Sequence, residues 1–428
     1  MGRTVEAMYG FKRVVAAMLM VGCGGPVPLK APVVEPEVPP EVPAAAAPSL
    51  ELTLSPTLVT EGGVVVVMRM RPDAVLTQEL HRIAPGTRTL TLLSPPTETL
   101  GLFEHGAVQK TVVRSRVQQA GCQAAPLVSS QVLRVPEDFS GIQAAIDAAL
   151  PGDTVLVGPG VFTESVHLRT GISLRGSGAG QTFLDAQGAA RTLVDFTDAA
   201  NVSITGFTFR GVGLASTCGD RVLTCSGNWF AAAIAADGHA YTVLPSSTAG
   251  GELPTCPGSS AHISHNVFEG NAVAVMPYFH ALAVVQNNLF VNNTHAYVAN
   301  HLQDQGVVIH NTFVGSTQHA IAITAGYVDV VDNVVAGSTQ SAMFQEYIQR
   351  GRVQCNLVYG RDPSLPMMMT VGVDGNLEAD PRFVDFAQGD FHLGAGSPGL
   401  DTGCDVDLLD VDGSLPDLGA WGGPAGQW

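Results

Sequence analysis

From Gln131 to the C-terminus the chain contains no lysine. That stretch holds 28 Asp and Glu against 10 Arg, a balance of −18, and the remainder contributes only +1 to the overall −17. So acidic a region repels phosphate backbones, which argues against a nucleic-acid partner. It also repels polyanionic sugars unless a cation or a local Arg cluster intervenes. Charged residues make up only 14% and aromatics 6%, whereas Gly occurs 48 times, a composition that excludes long solvated helices and coiled coils and favours a turn-rich β chain. No apolar run is long enough to cross a membrane; the longest near the start, Val14–Val21, is too short. Eight of the 12 His fall between His239 and His319, but no His/Cys spacing resembles a zinc site, so no metal ligand is assigned.

The N-terminus reads as an export signal. Lys12 and Arg13 precede the apolar run, and Gly22-Cys23 follows it; Glu6 suits a basic leader badly, which points to Met8 as the true start. Met20-Val21-Gly22-Cys23 resembles a bacterial lipobox, with Met where Leu is usual. That resemblance implies cleavage after residue 22, acylation of Cys23 and a membrane attachment through lipid. Residues 26–48 form a Pro-rich, semi-rigid tether. The expected location is the outer membrane or cell surface of a bacterium. Export gives the other six cysteines an oxidising setting, with up to three disulfides and one bond expected among Cys218, Cys225 and Cys256.

Between residues 201 and 360 the chain repeats. Aligned segments mark Gly206, Asn228, Asn266, Asn288, Asn311, Asn333 and Asn356, at intervals of 22, 38, 22, 23, 22 and 23, the long interval holding an insertion near 238–259. A fixed period of this length means a stacked solenoid. Stretches such as Ala320-Ile321-Ala322-Ile323 alternate with period two and stop after a few residues, so each repeat holds short strands, one coil of a triangular parallel β-helix. The asparagines are assigned to a structural ladder whose amides bond from coil to coil about 4.8 Å apart. Ser140 is the expected N-cap of a short helix over Ile142–Ala149 that covers the first coil.

The segment "IQAAIDAALPGDTVLVGPGVFTESVHLRTGISLRGSGAGQTFLDAQG" resembles the opening of bacterial right-handed parallel β-helix proteins with the pectin-lyase-like fold. "LEADPRFVDFAQGDFHLGAGSPGLDTG" resembles the terminal block of the same group. The resemblance implies an all-β, right-handed parallel β-helix over 131–375 with a capping segment over 376–428. It leaves the activity open, since such proteins include lyases, hydrolases, esterases, epimerases and binders. Residues 49–128 lie outside the repeat and read as a small β-rich region, a sandwich or a side flap.

The candidate site is the strand after each Asn turn. Aligning 232–236, 271–275, 295–299, 319–323 and 341–345 puts Ile234, Val273, Val275, Tyr297, Ile321, Ile323 and Met343 inward. Ala233, Ala235, Ala272, Ala274, Ala296, Val298, Ala320, Ala322, Ala342 and Phe344 then form a small-residue floor outside, either a sugar groove or the seat of 49–125. Its edge would stack Asp237, Met276, Asn300, Thr324 and Glu346, with His239, His280, His301, Tyr347 and Arg350 close by. Catalytic roles fall to Asp237, His239 and Glu346, and substrate contacts to Asn300, His301, Thr324, Tyr347, His280 and Arg350. Asp237 and Glu346 are four coils apart, about 19 Å, too far for a glycosidase carboxylate pair. Lyase chemistry lacks a carboxylate cluster for Ca2+, and only Arg350 and Arg352 could serve as base. The acidic stretch 405–417 lacks the interval of an EF-hand and reads as a turn, so no cofactor is expected and Ca2+ is the single ion worth testing. The expectation is a monomer that binds or structurally engages polysaccharide; the alternative is a polysaccharide lyase or glycoside hydrolase working in the groove.

Overall fold

The computed structural model describes residues 49–70, 77–93, 99–106, 112–119, 129–213, 232–237, 259–278, 281–345, 351–404, 410, 412–423 and 425–426. Cys23, the tether, Asn228, Cys122, Cys218, Cys225 and Cys256 lie outside these residues. The chain is an all-β solenoid of about eight coils. Each complete coil adds one parallel strand to each of three sheets. In the first sheet, Ser173–Gly176, Val202–Thr205, Ser260–Ser264 and Leu282–Gln286 stack in order. In the second, Thr208–Arg210, Val267–Glu269, Leu289–Val291, Thr312–Val314, Val334–Ala336 and Leu357–Tyr359 do the same. In the third, Val194–Asp195, Ile234–Asp237 and Val273–Tyr278 lead to His295–Ile309 and His319–Val331, two strands that run on through the corner into the first sheet.

Apolar side chains on each strand point inward and meet their equivalents one coil away. Phe209, Phe268, Phe290 and Phe313 stack face to face with centroids 5.2, 4.7 and 4.6 Å apart. Ile204, Ile263, Val285, Val308 and Val330 line the first sheet's side of this core, and Ile234, Val275, Tyr297, Ile321 and Met343 the third's. Each buried ring contributes roughly 2–3 kcal/mol of burial, and stacking adds about 1 kcal/mol per pair.

The turn between the first and second sheets carries the asparagine ladder. Asn266, Asn288, Asn311 and Asn333 each donate from Nδ2 to the next asparagine's Oδ1, at 3.0–3.1 Å, and Asn356 donates to Asn376 at 3.2 Å. The same Oδ1 atoms accept the backbone N–H of the preceding rung, for example Asn288 N to Asn311 Oδ1 at 3.0 Å. All these asparagines are buried, so the ladder satisfies polar groups that water cannot reach. Asn376 is a rung the repeat did not reveal. Gly206 is not a rung: it has φ 79° and matches His265, while Phe207 N bonds Asn266 Oδ1 across 59 residues. Val202–Thr205 pairs directly with Ser260–Ser264, so a single long coil separates them.

Helix Ile142–Ala148 buries Ile142, Ala145 and Ile146 in the same core as the first strands. Its N-cap is Gly141 rather than Ser140, and the capping oxygens come from Glu164, which accepts from Ile142 N at 3.1 Å and Gln143 N at 3.2 Å.

Residues 49–119 build a small β-fold with its own core of Leu52, Leu54, Leu58, Val65, Val67, Leu92, Leu100 and Leu102. Gly63–Met70, Thr77–Ile83, Thr99–Gly106 and Val112–Gln119 form an antiparallel sheet beside the pair Ser49–Thr53 and Thr89–Leu93. Buried Glu104 accepts Ser55 N at 2.7 Å, which anchors the start of helix Pro56–Glu61. Strand Val112–Gln119 runs beside Val202–Thr205, Ser260–Ser264 and Leu282–Gln286, so this region sits against the first sheet rather than the third.

The C-terminal segment returns across the coils. Phe391 packs on Leu289 and Val314, and Leu418 packs on Val334 and Leu357, covering the second sheet's outer side there. Cys355 and Cys404 form a disulfide that ties it to the solenoid, with Cα atoms 5.6 Å apart.

Candidate functional site

The third sheet's actual register changes the expected groove. Val273 pairs with His295 and Val275 with Tyr297, two residues away from the sequence alignment of that coil. Ala233, Ala274, Ala296, Ala320 and Ala342 belong to the interior cluster. Small residues sit there because the coil turns tightly at that corner, and they form no outer floor. Of the expected floor, Ala235, Val298, Ala322 and Phe344 do lie in a separate apolar cluster outside the core, together with Ala232, Met276 and Val273, the last expected inward. Beside it the rings of His295, His319 and Phe344 stack on successive coils, with centroids 5.4 and 4.7 Å apart. Burial, and for His295 the neighbouring His319, push both histidines down, His295 to about 4. Both are therefore neutral rings at pH 7.

The expected polar edge does not assemble as a row. Met276 pairs with Ala235, and Tyr278 lies opposite Asp237. Asn300 pairs with Ala325 across a register shift, leaving Thr324 as the extra residue of a bulge, 4% exposed. His301 continues the same strand. His239, His280, Glu346, Tyr347 and Arg350 lie outside the described residues.

A better-defined cavity lies at the far end of the first sheet. It holds about 280 Å3 and is lined by residues 351–354, 368–370, 373, 374 and 376. Gly351 opens it: a Cβ there would run into the Val328 carbonyl of the coil below. Arg352 is fixed twice by Asp329, one coil earlier, through its backbone N–H at 2.7 Å and its guanidinium at 3.1 Å. Gln354 Oε1 accepts a further guanidinium N–H at 3.4 Å. Asn376 is spent on the ladder and on the carbonyls of Val353 and Val373. Gln354, Thr370 and Asp374 line the cavity together with Val353, Met368 and Met369, and Arg352 Nε is buried without a hydrogen-bond partner among the described residues. A cavity lined by both hydrogen-bonding and apolar side chains can hold a small ligand. Among the described lining residues Asp374 is the single carboxylate, whereas glycoside hydrolysis uses two. The sequence signal for this site was the one-coil spacing of Asp329 and Arg352, which the repeat alignment did not use.

A second cavity, about 320 Å3, lies at the opposite end between Pro151, His167, Arg169 and Asp198. Arg169 is turned away to the carbonyls of Asp147 and Ala149, and His167 meets Asp195 at 3.3 Å.

Metal-ligand geometry among the described residues is confined to Asp332, Cys355 and Cys404, whose sulfurs are joined to each other. In the acidic C-terminal stretch, Asp410 accepts from Asp417 N and Gly423 N, and Asp412 accepts from Ser414 N and its hydroxyl. These carboxylates cap turns of the chain.

No family model and no curated protein matches the sequence. Solved structures do. A mutant of a PL6 family alginate lyase matches at 13% identity and TM-score 0.32, covering 58% of this chain and 40% of that one. A GH87 alpha-1,3-glucanase catalytic domain in complex with nigerose matches at 11% and 0.31, covering 73% and 65%. A Family 28 exopolygalacturonase from Yersinia enterocolitica matches at 10% and 0.25, covering 78% and 75%. At these levels the likeness is one of coil architecture, and the strand register, the ladder and the core columns establish that architecture independently. The chain is an all-β parallel β-helix solenoid.

Proposed function

We propose that the protein is an exported, surface-anchored β-helix that binds polysaccharide, using the cavity around Arg352. The observation that carries this reading is the cavity itself, lined by Arg352, Gln354, Thr370 and Asp374 beside methionine and valine side chains. A sugar ring presents hydroxyls at its edge and C–H groups on its faces, and this combination answers both. Export is supported by the basic and apolar leader, by Gly22-Cys23 and by the Cys355–Cys404 disulfide, a bond that persists in oxidising compartments. The solved β-helix structures it resembles carry names of carbohydrate-active enzymes, which is compatible with the same class of partner.

A glycan array, with Arg352→Ala as control, tests the binding reading; loss of binding in the variant is expected. Degradation assays on wild type, Asp237→Ala and Glu346→Ala test the enzyme alternative. Turnover abolished by those substitutions would establish it. Mass spectrometry of the mature N-terminus checks acylation at Cys23.

A further inference from the structure

We infer that the glycan held at the Arg352 cavity is uncharged, and that acidic polysaccharides are turned away. This rests on the binding reading above and specifies its substrate class. A polyuronate or sulfated glycan needs cations to replace its counterions, and the solenoid offers few. From Gln131 onward it has 28 carboxylates and 10 guanidiniums. Of the eight described arginines, seven are engaged by the protein's own oxygens. Arg134 pairs with Asp138, Arg210 with Asp185, Arg352 with Asp329 and Arg361 with Glu378. Arg169, Arg191 and Arg382 donate to backbone carbonyls.

The cavity follows the same balance. Within the lining Arg352 and Asp374 cancel, and Asp329, paired with Arg352 from the preceding coil, leaves the three together at −1. Among the described lining residues, an incoming carboxylate would meet Asp374 with no unmatched cation to offset it. A hydroxyl meets no such penalty: it can donate to Asp374 and accept from the Gln354 amide. The field outside reinforces this, since a surface of one sign slows approach by polymers of the same sign, most strongly at low salt.

The test measures binding of the full chain to a neutral glucan, a neutral mannan, polygalacturonate and alginate, at about 0.02 M and about 0.3 M salt, where the screening length changes several-fold. A neutral glycan is expected to bind with less than about twofold change in Kd between the two salts, and both acidic polymers at least about tenfold more weakly at low salt. Asp374→Asn, checked for intact folding by circular dichroism, is expected to weaken the neutral ligand and to narrow the gap to the acidic ones. Polygalacturonate or alginate binding at low salt as tightly as the best neutral glycan overturns the inference while leaving a glycan site standing. Binding of no glycan at either salt overturns the inference and the site together.

Discussion

At the turn between the first and second sheets, two neighbouring positions follow opposite rules. One is asparagine on every coil from Asn266 to Asn376, and each side chain bonds its own copy one coil away. The position just before the first five of these asparagines is His265, Asn287, His310, Asp332 and Cys355, a different residue nearly every time, held with φ between 50° and 55°. Those side chains meet the C-terminal segment. Cys355 bonds Cys404, Asp332 Oδ1 accepts Cys404 N at 2.9 Å, Asn287 donates to Ala420 O and Gly422 O, and His265 meets Ala425 O at 2.8 Å. His310 lies under Gly422 and Gly423, where a Cβ on Gly423 would stand 2.7 Å from its Nε2. Repetition marks a row that recognises itself. Variation marks a row that recognises a segment without a repeat.

The ladder is expected to be the more fragile of the two. Asn311→Ala removes five hydrogen bonds inside a dry turn. The orphaned backbone groups should cost roughly 4 kcal/mol or more, read by urea denaturation; a loss below about 1 kcal/mol would sink the ladder's structural role. The variable row should fail locally instead. Cys355→Ser opens a loop closed over 49 residues and should cost about 2–4 kcal/mol, with protease cutting appearing first in residues 399–426. Cutting spread evenly along the solenoid would contradict the local picture.

Acid should separate the rows next. Burial pushes His310 down to about 4, so it is neutral and its 3.7 Å contact with Asp332 is no ion pair at pH 7. A folded pKa below the unfolded one means that the contribution is intact above about pH 6.5 and lost as pH falls through about 4, at most about 3 kcal/mol. Asp410 runs the other way. Burial raises it to about 6, so its contribution is present below about pH 4 and lost as pH rises through about 6. Amide protection near residues 419–423, taken relative to the intrinsic exchange rate at each pH, should fall from pH 6.5 to 4, less so in His310→Gln; unchanged protection would remove histidine as the cause.

The same contrast explains what could be read from the sequence. The coils were legible because a 22–23-residue period and a recurring asparagine both follow from self-stacking. Asn376 was missed because its interval from Asn356 drops to 20. Gly206 was placed one residue off because glycine fits the left-handed position that His265 and Asp332 fill on other coils. Apolar character does not distinguish the inside of a corner from an outer face, so Ala233, Ala274, Ala296, Ala320 and Ala342 were turned outward along with Ala235 and Ala322, which do lie outside the core. The Arg352 cavity depends on 366–376, where the repeat has already lapsed, and no periodicity could have announced it. The row that grips the C-terminal segment was equally hidden, since its partners lie up to 160 residues away.

The smallest effect gives the sharpest comparison. His265 and Asn266 are adjacent, yet glutamine should be tolerated at only one of them. At 265 the ring is partly exposed and spends Nε2 on the Ala425 carbonyl. A glutamine amide can donate to that same oxygen, so His265→Gln should cost about 1 kcal/mol or less, seen as modestly faster exchange near residues 425–426. At 266 the amide must donate to Asn288 Oδ1 and Ile204 O while its oxygen accepts Phe207 N, all within a buried turn. One extra methylene pushes that amide out of register with both coils, so Asn266→Gln should cost several times more, roughly 3 kcal/mol. Equal losses at the two sites would mean that the rows are held by general packing; unequal ones in this order would show that a single residue's step along the chain separates self-recognition from the grip on the C-terminal segment.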